Sequence, residues 1–283
     1  MSFYIERHKR ELAALKSNYQ VRDDIITIDG KIPLTYWINT ENFGDLLSPW
    51  LYEKMTGLPV EYSPGDCPSY IGIGSILKRT TDHSIAWGTG SFGTEPRKQV
   101  AVKARYLAVR GPLTRARIRN TGVDCPAVYG DPALLTPMYY WPEIEKKYEL
   151  GIVLRWSEKK WVNRDFGPGV KKIYLKTTDI EGVLDDMLSC KRIITSSLHG
   201  LIISDAYGIP SAWLDSHTPK GGEFKFYDYF LTVNKVRHAQ RYDLSDGSIE
   251  LIDLLAAFEF DSKIIDFDYE ALLDACPLLS KIP

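Results

Sequence analysis

Residues 192–210 have the sequence RIITSSLHGLIISDAYGIP, and this stretch decides the fold. It opens with Ile193-Ile194, a β-branched pair that is typical of a short buried strand. Two serines and His199 follow, and a second apolar run, Leu201-Ile202-Ile203, leads to Gly208. This order predicts a strand, a tight polar turn and a short helix that stops at the glycine.

A polar turn of this kind lies at the carboxyl end of a strand and at the N-terminus of a helix. Open α/β sheets bind ligands at that edge, and the free N–H groups of the helix favour anions. A histidine there binds an anion or transfers protons near neutral pH. The same residues also have a structural explanation, in which Ser196 and Ser197 cap the helix and His199 is satisfied within the fold. Both interpretations remain open from this stretch alone.

Length and composition narrow the class of protein. A chain of 283 residues allows one large domain or two of moderate size, and a net charge of −2 argues against a general nucleic-acid binder. The four cysteines are scattered and form no zinc-binding spacing with the five histidines, which predicts reduced thiols, no metal site and a cytoplasmic location. No signal peptide or membrane-spanning run is predicted, so any membrane contact is expected to be peripheral.

The first half of the chain repeats the strand, turn and helix pattern. A helix is predicted over residues 3–18 and a first strand over Pro33–Ile38. The polar turn that follows contains Asn42 and Asp45 and leads to another helix. Asp45 falls where an N-cap is expected, so it either caps this helix or supplies a carboxylate at the mouth of the first turn.

Two further strands, over residues 69–77 and 84–93, contain glycine turns at Gly74 and Gly90. Residues 88–93 match G-x-G-x-x-G, but a proline-containing loop and no helix follows the third glycine. The match is therefore not interpreted as a dinucleotide site. Both turns are expected to let the backbone approach a neighbour or a ligand.

Arg110 ends a strand predicted over residues 105–110, and Pro112 then opens a helix. A guanidinium beside a helix N-terminus binds carboxylate or phosphate bidentately, and we favour this interpretation over a surface ion pair. Asp131 follows another short strand, over Val128–Tyr129, and either caps a turn or hydrogen-bonds a ligand.

The second half restarts the same pattern after a linker predicted over residues 139–147. Lys225 lies in a glycine, lysine and aromatic segment between His217 and Tyr229, which predicts a mobile loop that runs into a helix. The pattern βαβα in both halves predicts an α/β protein with parallel sheets. We expect two Rossmann-like domains that face a cleft, residues 1–145 and 146–283. The remaining predicted elements are strands over 150–156, 173–175 and 211–214, a helix over Asp179–Leu188, and two helices within 248–280.

Six short motifs recur in a fixed order across residues 35–230, and with them the chain resembles the polysaccharide pyruvyltransferase family. The segment Phe224–Tyr229 is similar to that of the exopolysaccharide ketal-forming branch. The six motifs are Asn42-Phe43-Gly44-Asp45, Gly72-Ile73-Gly74-Ser75, Trp87-Gly88-Thr89-Gly90, Val109-Arg110-Gly111-Pro112-Leu113-Thr114, Gly130-Asp131-Pro132-Ala133-Leu134-Leu135 and Ser196-Ser197-Leu198-His199-Gly200.

The resemblance implies a fold like that of two-domain GT-B glycosyltransferases. It also implies transfer of a pyruvyl group from phosphoenolpyruvate to a sugar of a surface or exopolysaccharide glycan. The product would be a ketal, with phosphate released and no cofactor beyond the donor. Whether the acceptor is lipid-linked, and whether the protein lies against the inner face of the membrane, stay open.

The resemblance also assigns roles, with the acceptor on the N-terminal domain and the donor on the C-terminal domain. From the chemistry of the transfer, and not from the resemblance, we expect His199 to bind phosphate and handle protons in catalysis, and Asp45 or Asp131 to activate the sugar hydroxyl. Several relatives carry arginine where this chain has Ser197, so the donor's charge would be balanced by other groups. The donor-binding residues would be Arg110, Ser197, Leu198, His199, Gly200 and Lys225, and the acceptor-binding residues Asn42, Gly74 and Gly90.

Two other functions are compatible with the same pattern. A nucleotide-sugar glycosyltransferase would share the fold, although the one compact Asp-x-Asp, Asp266-Phe267-Asp268, lies in the tail and away from the predicted site. A glycan-binding protein without catalytic activity is the non-enzyme alternative. It would have little use for an arginine and a histidine at paired helix starts.

Overall fold

The structure, a computed structural model, describes residues 2–215, 222–245 and 249–283. The helices are α1 Ser2–Lys16, α2 Phe43–Thr56, α3 Pro112–Arg119, α4 Thr136–Tyr139, α5 Ile180–Leu188, α6 Leu198–Ala206, α7 Phe224–Thr232, α8 Leu251–Ala257 and α9 Tyr269–Asp274. The strands are β1 Tyr19–Val21, β2 Ile32–Thr35, β3 Val60–Tyr62, β4 Ser69–Ile71, β5 Ser84–Thr89, β6 Arg105–Val109, β7 Leu150–Leu154, β8 Val170–Tyr174, β9 Ile193–Thr195, β10 Ser211–Trp213 and β11 Leu279–Lys281.

Two parallel sheets organise the chain. The first has five strands in the order β3-β2-β4-β5-β6, and the second has four in the order β10-β9-β7-β8. Helices flank both sheets, so the predicted α/β class with two Rossmann-like parallel sheets is confirmed.

Both sheets have the same topology. In each, the first strand lies between the second and the third, so that β2 separates β3 from β4 and β7 separates β8 from β9. The chain reverses its direction of travel across the sheet at this point. The crevice at the carboxyl ends of the two central strands is therefore where such sheets bind ligands.

The motif around His199 folds as its apolar pattern predicts. Ile193 and Ile194 are fully buried in β9, and α6 is buried on almost every side. One apolar cluster continues from Leu34 and Trp87 in the first sheet to Leu201 in α6. A helix that is apolar all round requires cover on all sides, and α6 obtains it by packing between the two halves.

The C-terminal end of the chain returns to the N-terminal half. Strand β11 pairs antiparallel with β1, and Trp87 Nε1 donates a hydrogen bond of 2.9 Å to the Leu272 carbonyl at α9. Among the described residues, no helix is both long enough and apolar enough to cross a bilayer.

Most predicted elements are confirmed, with small differences at their ends. The helix predicted over residues 3–18 is α1, that over Asp179–Leu188 is α5, and the one after His217 is α7. The loop before α7 includes residues 216–221, which lie outside the described part of the chain.

Some differences from the predicted elements remain, and helix α4 was not predicted. The strand predicted over Pro33–Ile38 ends earlier, at Thr35, and Val128–Tyr129 forms only an isolated bridge through Tyr129 to Val109. The strands β1, β3 and β11 were not predicted, because each has at most one buried residue and lacks the apolar run of the equally short buried strands β4, β9 and β10. The domain boundary at residues 145 and 146 stays a prediction.

Gly88 provides a test of the packing beneath the Asp131 turn. Its φ is +88°, and a Cβ at this position would lie 2.2 Å from Pro132 Cδ. Gly122 has a similar φ of +86°, but a Cβ there would meet open space. We expect Gly88→Ala to lower the free energy of unfolding by about 2–4 kcal/mol, and Gly122→Ala by only about 1–2 kcal/mol.

Urea denaturation of the two variants and the wild type measures this difference. Gly122→Ala carries the cost of the positive φ alone, so the difference between the variants isolates the clash with Pro132. Equal losses would contradict the close approach of the Asp131 turn to β5.

Candidate active site

A cavity of about 390 Å³ lies between the carboxyl ends of the two sheets. Residues that follow β2, β4 and β5 line it from one side, residues that follow β7 and β9 line it from the other, and α7 contributes Lys225. The two topological reversal points therefore face one cavity. The side chains used below are Trp37, Asn42, Asp45, Ser75 and Phe92 from the first sheet, and Arg155, Trp156, Ser197, Leu198 and His199 from the second.

His199 is the second residue of α6, and its imidazole lies almost fully buried against this cavity. Its Nε2 atom has no hydrogen-bond partner among the described residues and lies 3.8 Å from Asp131 Oδ2. Burial lowers the pKa of His199 to about 3, and the charges of Lys225 and Arg110 contribute in the same direction. The imidazole is therefore neutral at pH 7 and has an unused polar atom.

Gly44 allows His199 to occupy this position. A Cβ at residue 44 would lie 2.1 Å from His199 Nδ1, closer than any van der Waals contact permits. The motif Asn42–Asp45 and the motif Ser196–Gly200 therefore meet at the site, although about 150 residues separate them in the chain.

Asp131 lies behind the histidine and is fully buried. Its Oδ1 atom accepts a hydrogen bond of 3.1 Å from the Ala133 amide, which confirms the capping interpretation for that oxygen. Its Oδ2 atom has no partner within the described parts of the chain. Burial raises the pKa of Asp131 to about 6. The carboxyl group is thus able to exchange a proton near neutral pH.

Asp45 lines the cavity from the first turn of α2. Asn42, and not Asp45, occupies the N-cap position, so the prediction that Asp45 falls at the N-cap is wrong. Asn42 Nδ2 donates a 2.7 Å hydrogen bond to Asp45 Oδ2. Burial raises the pKa of Asp45 to about 6, against the opposing effects of Asn42, Lys225 and Arg79.

Lys225 enters the cavity from α7. Its Nζ atom lies 5.8 Å from the Phe92 ring centroid and 5.2 Å from that of Phe226. Burial, with smaller contributions from Arg155 and Arg110, lowers the pKa of Lys225 to about 7 against the attraction of Asp45. An anion in this cavity would therefore stabilise the charged form of the amine.

Arg110 is fully buried and does not line the cavity, which excludes the surface ion pair considered from the sequence. Its Nε atom donates to Asp228 Oδ2 at 3.0 Å, Nη1 to Ser75 Oγ at 2.7 Å, and Nη2 to the Ser91 carbonyl at 2.7 Å. The bidentate fork is therefore engaged within the protein. Arg110 reaches the cavity through Ser75, whose hydroxyl accepts its hydrogen bond and keeps its own proton to donate.

The other predicted donor-binding residues lie in or beside α6. Ser197 and Leu198 line the cavity, whereas Gly200 is buried one residue beyond His199. Ser197 is the N-cap residue, but its side chain makes no capping hydrogen bond. Ser196 donates to Glu158 at 2.7 Å and therefore supports the turn from behind. The capping role considered for these two serines is thus not what their side chains perform.

The predicted acceptor-binding glycines have different surroundings. A Cβ on Gly74 would lie 3.3 Å from Asp45 Oδ1, so this glycine borders the site. Gly90 lies against the Arg110 guanidinium, where a Cβ would approach within 2.2 Å of Nη1. Its amide donates to the Gly74 carbonyl and its carbonyl accepts from Leu77. Gly90 therefore makes room for Arg110, and its predicted contact with the acceptor has no support in these interactions.

Sequence patterning missed several site residues. Trp37, Ser75, Arg155 and Trp156 line the cavity, and Asp228 holds Arg110. A signal was present for the two tryptophans, because each is the second residue beyond the first strand of its sheet. No local signal connects Asp228 with Arg110, which lies 118 residues earlier.

The chain is similar to known proteins in the region of these motifs. The family model for polysaccharide pyruvyl transferase matches residues 77–218, which is 142 of the 283 residues. The chain belongs to this family. The resemblance seen in the sequence is thereby confirmed, and the matched part of this pyruvyl transferase family member includes Arg110, Asp131 and His199.

Two relatives match over most of their length. The chain is 26% identical over 230 residues to the succinoglycan biosynthesis protein ExoV of Rhizobium meliloti, covering 77% of this chain and 70% of ExoV. It is 28% identical over 212 residues to the uncharacterized protein L143 of Acanthamoeba polyphaga mimivirus, covering 70% of this chain and 73% of L143. No solved structure matches this pyruvyl transferase family member.

The pKa of Lys225 predicts how anion binding depends on pH. A bound anion stabilises the ammonium form, so binding should be tight below the pKa of about 7 and weaken as the pH rises through it. Sulfate is a suitable probe because it stays a dianion from about pH 6 to pH 9. We expect its affinity to fall about tenfold over this range, measured by calorimetry. Lys225→Gln should bind sulfate weakly and lose most of this slope, and the cavity-lining Lys78→Gln should retain it.

The contact between Gly44 and His199 predicts a mutational coupling. Gly44→Ala should lower the free energy of unfolding by about 1–3 kcal/mol, because the new methyl group displaces the imidazole. In a His199→Ala background the same change should be neutral or stabilising, since alanine is the better helix former. Urea denaturation of the two single variants and the double variant measures this cycle. Additive effects would contradict the contact.

Proposed function

We propose that the protein transfers the pyruvyl group of phosphoenolpyruvate to a sugar of a surface or exopolysaccharide glycan and releases phosphate. Family membership supports the transferase class. The choice of donor rests on one observation, the excess of positive charge at the cavity. Lys78, Arg155 and Lys225 line it, and Asp45 is the one carboxylate among the lining residues in the described part of the chain. Arg155 is paired with Glu158 at 3.5 Å, so the excess is carried by Lys78 and Lys225.

Phosphoenolpyruvate complements this arrangement because it carries both a carboxylate and a phosphate. The N-terminus of α6 presents backbone N–H groups beside Ser197 and His199, and such helix ends favour phosphate. Ser75 offers a hydroxyl proton that is polarised by the Arg110 guanidinium. Arginine stands in several family members where this chain has Ser197, and Arg155 brings a guanidinium to the same cavity here.

Donor binding would also create the acid that the reaction needs. Positive charge from Lys225 and Arg110 contributes to the low pKa of His199. A polyanionic donor counteracts that charge, so the pKa of His199 rises and the imidazole takes up a proton. Asp131 Oδ2, at 3.8 Å from Nε2, stabilises the resulting imidazolium.

The proposed transfer uses two hydroxyls of the sugar and one molecule of donor. His199 delivers a proton to the methylene carbon of the donor, which becomes a methyl group, while a sugar hydroxyl attacks the adjacent carbon and loses its proton to Asp45. A second hydroxyl of the sugar attacks the same carbon, the bond to the phosphate oxygen breaks, and the phosphate leaves with the second hydroxyl proton. The two hydroxyls release two protons. One replaces the proton that His199 delivered to the methylene carbon, and the other leaves on the phosphate.

The class of acceptor is proposed from a relative of the chain. ExoV is named for succinoglycan biosynthesis, and this supports an exopolysaccharide or surface glycan as the acceptor of the present protein. We propose that transfer takes place in the cytoplasm, with the acceptor presented in solution or at the inner face of the membrane.

Thermal unfolding with phosphoenolpyruvate and with nucleotide sugars tests the choice of donor. Phosphoenolpyruvate at a hundredfold excess over its dissociation constant should stabilise the fold by about 2.7 kcal/mol. Stabilisation by a nucleotide sugar alone would favour a GT-B glycosyltransferase instead, and stabilisation by glycans alone would favour a binding protein without catalysis.

His199 variants test the proton transfer. His199→Ala should reduce phosphate release from phosphoenolpyruvate, assayed across a panel of glycan acceptors, by about a hundredfold or more. His199→Gln should recover donor affinity better than turnover, because glutamine donates a hydrogen bond but does not titrate. The control is His83→Ala, which removes an exposed histidine outside the cavity and should leave turnover unchanged.

Melting temperatures decide between a catalytic and a structural histidine. Neither His199 variant should unfold at the assay temperature, since the unpaired Nε2 shows no hydrogen bond to lose. Near-normal turnover in His199→Ala would contradict the catalytic role. Turnover lost only in step with unfolding would return His199 to a structural role.

A further inference from the structure

The cavity is larger than its donor requires. A donor of ten non-hydrogen atoms fills about 200 Å³ at protein packing density, and the cavity measures about 390 Å³. The cavity therefore has room for a second ligand beside the donor. Three aromatic residues, Trp37, Phe92 and Trp156, are among the residues that line the cavity.

Trp37 and Trp156 occupy equivalent positions in the two sheets. Strand β2 ends at Thr35 and β7 at Leu154, so each tryptophan is the second residue beyond the first strand of its sheet. Both strands adjoin the reversal point of the same strand order. The shared topology therefore brings one indole to the cavity from each half of the molecule.

Each tryptophan is held from its own side. The Arg79 guanidinium carbon lies 4.8 Å from the centroid of the Trp37 ring, within range of a cation–π interaction. The Trp156 carbonyl accepts a 2.7 Å hydrogen bond from the Tyr174 hydroxyl, which fixes the backbone at that residue. The side chain of Trp156 nevertheless remains 38% exposed. A large aromatic side chain that is fixed at its backbone and left partly uncovered at a cavity is suited to cover a ligand.

We propose that Trp37 and Trp156 form the acceptor subsite and pack against the C–H faces of a neutral hexopyranose. Pyranose rings present apolar C–H groups on their faces and hydroxyls at their edges, so flat aromatic walls bind the faces and leave the hydroxyls free to react. Asp45 lies on the same cavity and hydrogen-bonds Asn42, so it can receive a hydroxyl proton from a ring held there. The presence of the donor in this cavity rests on the proposed function, whereas the binding of the sugar does not.

The expected result concerns two ligands measured separately. Saturation-transfer NMR with methyl β-glucopyranoside and methyl β-galactopyranoside measures sugar binding, and thermal unfolding with phosphoenolpyruvate measures donor binding. Trp156→Ala and Trp37→Phe should each weaken glycoside binding at least fivefold while they retain the shift caused by phosphoenolpyruvate. Trp50→Phe is the matched control, because Trp50 is partly buried on α2 and does not line the cavity.

The outcomes separate this inference from the proposed function. Glycoside signals that persist unchanged in both cavity variants, or that are absent from the wild type, would overturn the subsite. A nucleotide such as uridine diphosphate that gives the tryptophan-dependent signal in place of the glycosides would also overturn it. Tryptophan-dependent glycoside binding without any shift from phosphoenolpyruvate would support the subsite and contradict the proposed donor.

Discussion

The structure of the site depends on the buried ion pair between Arg110 and Asp228. Both side chains are fully buried, and two buried charges are stable only when hydrogen bonds replace the water they have lost. Arg110 meets that requirement through Ser75 and Ser91, and Asp228 through the amide and hydroxyl of Thr114. The carboxylate thus satisfies a free amide at the start of α3 while it neutralises the arginine. Removing either partner would leave an uncompensated charge, so the pair fixes α7 against the first half of the chain.

Helix α7 also binds the second half, through the residue next to Asp228. Tyr229 donates a 2.8 Å hydrogen bond to Asp205 on α6, and Asp205 in turn pairs with Lys235 and Arg237. Successive residues of a helix point in directions about 100° apart, so neighbours in the chain reach different partners. Lys225 lies on the same helix, one turn before Asp228. Its position relative to Arg110 and to the His199 helix is therefore set by two buried networks.

The features of this structure that could be predicted are those specified by stretches of about twenty consecutive residues. The apolar pairs and glycine stops around His199 specify a strand, turn and helix, and parallel sheets follow from repetition of that unit. Roles that arise from long-range packing were not predictable. Gly90 was expected to contact the acceptor, yet its missing side chain makes room for Arg110, which no sequence spacing indicates. Asp228 was not predicted as a site residue, because its contact with Arg110 also arises from long-range packing. The sequence indicated a charged group at Arg110. It did not indicate that the guanidinium makes its hydrogen bonds within the protein.

The titratable groups at the site influence one another's protonation. Burial is the largest cause of the low pKa values of His199 and Lys225, and neighbouring positive charges, Lys225 and Arg110 for the histidine and Arg155 and Arg110 for the lysine, act in the same direction. A site in this state holds its histidine neutral and its amine only partly charged at pH 7. An anion with several charges would reduce the repulsion among all of them and so favour their protonation. On the proposed mechanism, proton delivery would thereby be linked to the presence of the donor, because the imidazole would gain its proton only with the donor's charges beside it.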